Sequence, residues 1–418
     1  MSGSFAGLSP KDTPGGGLKD YEGQIDMLKL RSYRLDRVQE QLRLHDYAGI
    51  VLYDPINIRY ATGTRNMAVW TLHNHTRYAF VPAEGLPTLW EFRNKPLQPP
   101  PAAALESVGD IRLAIGWIYF SAGERKAEKV RQWSADLAEV VRAAGGANNR
   151  VAFDHLDPLG LREMDRLNID VMDGERMMER ARVIKGPEEI QCMNICVSVA
   201  DTGMARMHEA LKPGMSENEL WSILHKTNIE LGGEWIETRL LASGGRTNPW
   251  FQECGERRIR AGDLVGFDTD LIGPFGYCAD LCRTFFCGPG KPSDEQKRLY
   301  NLAVEQVEQN MALVRPGVTF KELVEKQWQP PNSVASNRFN YIHGVGMIDE
   351  APTIPNLPDP GLLNEPEGVV EAGMTLCLES YIGEEQGVEG VRLEQQVLVT
   401  ETGPVVMSTF PYEEVLLS

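Results

Sequence analysis

The sequence predicts a two-domain chain: an α/β domain first, then a domain in which helix pairs accompany strands that carry metal-binding side chains. Three observations support this. Strands alternate with helices up to about residue 180, the pattern of an α/β layer. In the second half Leu211-Lys-Pro-Gly-Met-Ser-Glu-Asn-Glu-Leu220 is echoed by Val314-Arg-Pro-Gly-Val-Thr-Phe-Lys-Glu-Leu323, as if one helix pair were used twice. Six side chains with metal-ligand chemistry, Asp268, Asp270, Asp280, His343, Glu379 and Glu394, stand within or beside apolar, strand-like runs. A chain of 418 residues is also too long for one ordinary core.

The opening residues, 1–23, are rich in Gly, Ser and Pro with no apolar stretch, and are expected to be a disordered leader. An α/β domain is expected over 24–180. Apolar residues at helical spacing run from about 24 to 45; Ala48–Tyr53, Tyr78–Val81 and Thr88–Phe92 read as strands. A charged helix over about 124–144 precedes a strand at Arg150–Phe153. The second domain is expected over 181–418. In both copies of the echo a helix ends at Pro-Gly and the next opens with a capping box, Ser216-x-x-Glu219 and Thr319-x-x-Glu322.

Asp268 and Asp270 are two apart, so on a continuous strand they would share a face. Gly273-Pro-Phe-Gly276 is a turn, and Tyr277–Cys287 is the returning strand that carries Asp280. Glu379 ends one apolar run and Glu394 lies in the next, a hairpin-like separation. A buried carboxylate without a partner is costly, and several together raise one another's pKa. Five carboxylates and one imidazole at one place therefore call for two cations. Oxygen donors with a single His suit iron, manganese, zinc or cobalt.

Composition narrows the function. A net charge of −17 with no Lys/Arg-rich run argues against nucleic acid. No stretch approaches eighteen apolar residues, so no membrane span is expected. The seven cysteines include no C-x-x-C pair, and those in the strand runs read as small buried hydrophobes. A cytoplasmic protein is expected.

Asn57-Ile-Arg-Tyr-Ala-Thr-Gly63, Arg182-Val-Ile-Lys-Gly-Pro-Glu-Glu-Ile190 and the blocks around the six candidate ligands resemble the pita-bread metallopeptidase family, in its aminopeptidase P, prolidase and creatinase branch. The resemblance spans nearly the whole chain. It implies an N-terminal α/β domain and an α+β pita-bread catalytic domain, with the six residues as ligands of a binuclear metal site. It also implies a homodimer in which the N-terminal domain can cap the partner's site. Arg283 matches a family Arg near the metal strand and reads as a structural partner for acidic ligands.

Two departures point away from peptide hydrolysis. The peptidases place a proton-handling His seventeen residues before the first Asp ligand, and here that position is Phe251. The residue two after that Asp is usually Gly and here is Asp270, and the Asp268–Asp280 spacing is twelve instead of eleven. Gly232–Gly244, Arg246–Gly255 and Phe267–Gly273 resemble a narrower branch, the dimethylsulfoniopropionate (DMSP) lyases built on this fold. That resemblance implies iron and a small zwitterionic substrate, cleaved to dimethyl sulfide and acrylate. It implies Asp349, six residues after His343, as the base, although a functional Tyr of that branch is Arg338 here, with Tyr341 nearby, and a Trp is Ala351. Trp70 and Trp250 are candidates to hold the sulfonium. An Xaa-Pro-type peptidase or creatinase-like C–N hydrolase is the alternative. A binding module without activity is a third reading, against which the six intact candidate ligands argue.

Overall fold

The computed structural model describes residues 25–92, 106–331, 335–336, 340–355 and 367–417; the expected leader and Arg338 lie outside them. Asp26 opens the first helix, α1 (Met27–Leu44), its carboxylate accepting from the amides of Leu28 and Lys29. Six strands follow, β1 (Gly49–Leu52), β2 (Tyr78–Pro82), β3 (Thr88–Glu91), β4 (Asp110–Leu113), β5 (Arg150–Phe153) and β6 (Asp170–Asp173). They form one mixed sheet in the order β4-β3-β2-β1-β5-β6. Helices α2 (Pro55–Thr62), α3 (Ala68–His73), α4 (Tyr119–Ala122), α5 (Lys126–Gly145), α6 (Pro158–Arg166) and α7 (Glu175–Arg182) complete this half. The strands expected near residues 50, 80, 90 and 150 are all present.

Alternation along β1 divides the core. Val51 and Tyr53 pack with Trp90, Trp133 and Leu137, whereas Ile50 and Leu52 face the other way, into a cluster shared with Cys192, Met193 and Phe267. The N-terminal sheet thus lends one apolar face to the second half, and the two pack through a common core.

The second half holds the helix pair α8 (Pro187–Ala210) and α9 (Glu217–Glu230), and later α10 (Asp294–Leu313) and α11 (Phe320–Lys326). Both capping boxes form as read. Strands β7 (Trp235–Ile236), β8 (Leu241–Ser243), β9 (Leu264–Asp268), β10 (Leu271–Ile272), β11 (Cys278–Ala279) and β12 (Cys282–Phe286) accompany the first pair. Strands β13 (Ala335–Ser336), β14 (Asn340–Val345), β15 (Asp349–Pro355), β16 (Thr375–Gly383), β17 (Gly390–Thr400) and β18 (Gly403–Val406) accompany the second. The sheets run β8-β9-β12, β7-β10-β11 and β15-β14-β16-β17-β18, with β13 on β16. Two helix pairs, each with its own strands, are the α+β pita-bread arrangement.

The Asp-bearing hairpin is not continuous. β9 ends at Asp268, and Asp270 sits beyond it at φ +35, so strand alternation does not explain how both acids reach one place. The returning run is also split: β11 pairs with β10, the chain breaks at Asp280, and β12 pairs with β9. Asp270 and Asp280 stand at these two breaks, and both are buried.

Candidate metal centre

Four strands, β9, β14, β16 and β17, bring Asp268, His343, Glu379 and Glu394 together, and the two breaks at Asp270 and Asp280 add the other two predicted side chains. Glu379 on β16 stands directly across from Glu394 on β17, and His343 on β14 is across from Cys377 on β16. His343 Nε2 lies 3.1 Å from Glu379 Oε1, 3.4 Å from Asp280 Oδ2 and 3.4 Å from Glu394 Oε1. Ligand atoms of Asp268, Asp270 and Asp280 form a second group, all within 4.8 Å of one another. Asp270 accepts from the Thr238 hydroxyl.

This arrangement fits a metal pair. Asp268 Oδ1 and Asp280 Oδ1 are buried with no hydrogen-bond partner among the described residues, a costly state unless a cation takes those lone pairs. Burial, then Glu394 and Asp268, pushes the Asp280 carboxyl well above its usual range. Burial and Asp268 do the same to Asp270. Burial and Asp268 raise Glu394 to about 6. Glu379 goes the other way: against the cost of burial, Arg392 and His343 hold it at about 2. Mutual repulsion among buried acids is what two divalent ions would relieve.

Two residues of this centre are not evident from the sequence. Arg392 is buried among the acids, 2.9 Å from Glu379 Oε2 and 3.3 Å from Asp268 Oδ2. Its place two residues before Glu394 on a strand, hence on the same face, was the available signal. The Cys282 thiol stands 2.8 Å from Glu394 Oε2. Cys282 pairs with Asp268 across β9–β12, so it faces the acids and is more than a small hydrophobe. Arg283 departs from expectation. It touches no ligand carboxylate; it donates to the backbone carbonyls of Cys282, Glu394 and Phe410 and lies over the Phe410 and Tyr412 rings, tying the C-terminal segment behind β17.

A cavity of about 470 Å³ opens onto the centre, lined by Glu179, Phe251, His343, Asp349, Glu350, Ala351, Thr353 and Glu379. Asp349, at the start of β15, keeps 55 % of its side chain exposed, with Oδ1 3.9 Å from His343 Nδ1. The next residue anchors it. Glu350 is buried against Arg182 (2.9 Å) and Lys185, while the Ala351 amide donates to Glu179 at 2.7 Å. Arg182 also donates to Asn57, so the two motif stretches around Asn57 and Arg182 meet behind the strand that carries Asp349.

The remaining candidates lie elsewhere. Tyr341 packs in an apolar cluster with Val183, Val314 and Phe320, and does not line the cavity. Trp250, 6 % exposed, is behind the centre with its ring 5.5 Å from the Arg392 guanidinium, so that face is taken. Trp70 sits on α3 in the N-terminal half, against Phe92 and Phe120, and is likewise absent from the cavity wall. Among the described residues, the aromatic one that lines the cavity is Phe251.

Metallopeptidase family M24 matches residues 191–401, half of the chain. The protein belongs to that family. Among its M24 relatives are two proteins named dimethylsulfoniopropionate lyase DddP. The one from Roseovarius nubinhibens is 37 % identical over 94 % of this chain and 88 % of its own length. That from Roseobacter denitrificans is 34 % identical over the same shares. Solved structures similar to it include an Xaa-Pro dipeptidase from Bacillus anthracis (TM-score 0.71, 21 % identity, 92 % of this chain and 99 % of that one). A prolidase from Pyrococcus horikoshii matches similarly (TM-score 0.70, 20 % identity, 91 % and 99 %). At that identity the two structures speak for the fold alone. Among the described residues no helix is long and apolar enough to cross a membrane.

Proposed function

We propose that this M24 protein is a metal-dependent carbon–sulfur lyase that splits DMSP, or a close analogue, into dimethyl sulfide and acrylate. One observation carries the reading. Asp349, an exposed carboxylate, lines the cavity together with two of the candidate ligands, His343 and Glu379, and Phe251 stands where a hydrolase of this fold needs a proton-handling His. The two DddP relatives support the choice of substrate.

The chemistry asked of the chain is β-elimination. Asp349 takes the proton from the carbon next to the substrate carboxylate. The electron pair left behind forms the carbon–carbon double bond, the C–S bond breaks, and sulfur departs with its bonding pair as neutral dimethyl sulfide. Asp268, Asp270, Asp280, His343, Glu379 and Glu394 would hold two metal ions, iron by preference, whose Lewis acidity stabilises charge developing on the substrate carboxylate. Arg392 holds Glu379 and Asp268 in place, and the Glu350–Arg182–Lys185 cluster fixes the strand from which Asp349 projects. Units 24–180 and 181–418, a cytoplasmic location and a homodimer belong to the same reading. The seven cysteines are all unpaired thiols, as a reducing compartment favours.

The test is headspace detection of dimethyl sulfide after adding DMSP to protein reconstituted with iron, manganese, zinc or cobalt, beside an assay for proline release from Xaa-Pro dipeptides. Dimethyl sulfide without proline is the expected result. Proline without dimethyl sulfide overturns the lyase reading in favour of a peptidase.

A further inference from the structure

Two of the seven buried cysteines stand among the candidate ligands. Cys282 groups with Asp268 and Glu394, and Cys377 with Asp280, His343 and Glu394, the ligand atoms of each group lying within 4.8 Å of one another. The two thiols are not equivalent. Cys377 is engaged by the backbone, donating to the Asp280 carbonyl at 3.6 Å. Cys282 turns its sulfur to a carboxylate, 2.8 Å from Glu394 Oε2.

The fold fixes that sulfur from two sides. Cys282 on β12 is directly across from Asp268 on β9, and side chains opposed in this way stand next to each other on one face of the sheet. β17, which carries Glu394, is tied to β12 by the next two residues. Arg283 donates to the Glu394 carbonyl at 2.8 Å. The Thr284 hydroxyl donates to the Arg392 carbonyl at 2.8 Å and accepts from the Arg392 amide at 3.0 Å. Asp268 Oδ1, in the same group, is buried with no hydrogen-bond partner among the described residues. A sulfur at about 2.3 Å and an oxygen at about 2.1 Å, at right angles on one ion, stand about 3 Å apart, close to the Cys282–Glu394 separation.

We propose that Cys282 is a seventh ligand of the metal centre: its sulfur shares one ion with Asp268 and Glu394 and biases the site towards iron, cobalt or zinc over manganese. Sulfur is a softer donor than a carboxylate, and a set of oxygens alone suits manganese better. Binding exchanges the S–H bond for a metal–sulfur bond, the proton leaves to solvent, and no electron is transferred. The inference rests on the metal pair of the proposed function and is independent of the substrate.

The full chain, stripped of metal and reloaded with saturating cobalt(II) without oxygen, tests it. Elemental analysis counts the bound cobalt, and a sulfur-to-cobalt charge-transfer band in the near ultraviolet, which carboxylate and imidazole ligands do not give, reports the cobalt–sulfur bond. The wild type should show the band. Cys282→Ser should keep its melting temperature and its cobalt and lose the band, and its preference for zinc over manganese in a competition titration should shrink about ten-fold or more. Cys282→Ala repeats the reading if the serine hydroxyl disturbs the fold, and Cys377→Ser should keep the band. A band missing from the cobalt-loaded wild type, surviving in folded Cys282 variants, or vanishing only in Cys377→Ser would overturn the ligand; the first result leaves Cys282 as a hydrogen-bond donor that orients Glu394. A wild type that binds no cobalt sinks the metal pair and the ligand together. Dimethyl sulfide release by the iron-loaded wild type is measured alongside. Its absence with the band intact sinks the lyase reading alone; its presence without the band sinks the ligand alone.

Discussion

A general base must first reach its proton, and among the acids of this cleft Asp349 is the one left with substantial access. The other three are committed: Glu179 to Arg182 and the Ala351 amide, Glu350 to Arg182 and Lys185, Glu379 to Arg392 and His343. Asp349→Asn keeps shape and removes proton-accepting capacity. Metal content and melting temperature should stay near wild type while kcat falls about 10²- to 10⁴-fold. A metal-loaded variant within a few-fold of wild-type kcat would remove Asp349 from that role. Asp280→Ala should behave in the opposite manner, losing bound metal by elemental analysis before anything else is measured. The acids of this centre could be read from the sequence because each interrupts or adjoins an apolar run, where an unpaired carboxylate has no other reason to be. Arg392 and Cys282 were not evident because the sequence shows neither that the Arg is buried nor which acids stand across the strand from it and from the Cys.

At the scale of elements, the sequence showed which segments are strands and helices, but not where strands stop. The breaks at Asp270 and Asp280 arise from pairing with two different sheets, a long-range event that no local pattern records. The link between α7 and β15 was hidden for the same reason: Arg182 and Glu350 are 168 positions apart. Removing one partner from such a buried cluster leaves an uncompensated charge, so Glu350→Gln should destabilise the protein by about 3 kcal/mol or more, read from the urea midpoint. Because β15 would lose its anchor, kcat should fall with it, and a variant as stable as wild type would mean the cluster carries little. The C-terminal segment offers a pH test. His208 on α8 bonds Glu413 at 2.9 Å, and that bond, against partial burial, raises the His208 pKa above 6.5. A raised folded-state pKa means the pair's stabilisation is complete below the unfolded pKa and is lost as pH rises through the folded one. The His208 titration followed by NMR should therefore have its midpoint above 6.5 and fall back towards it in Glu413→Gln. Equal midpoints in the two proteins would show the contact has no energetic weight.

At the scale of the whole molecule, the surface of the N-terminal half poses the remaining question. Trp70 is 37 % exposed and Phe120, its ring neighbour, 76 %, with Met67 and Val69 also largely open to solvent. Large apolar side chains grouped on one surface, away from the cavity, mark a contact site more often than free surface. The proposed homodimer gives that surface an occupant, a second copy of the chain, and Trp70, which does not line its own chain's cavity, belongs to that interface in this reading. Light scattering on the purified protein should give twice the 46.6 kDa of one chain. Trp70→Asp places a charge where an apolar contact would be buried, at a position exposed enough for the fold itself to tolerate it. That variant should move towards the monomer mass at micromolar concentration while its melting curve shows one folded species. A wild type of monomer mass would refute the dimer. A Trp70→Asp protein that stays dimeric would keep the dimer but move its interface away from α3.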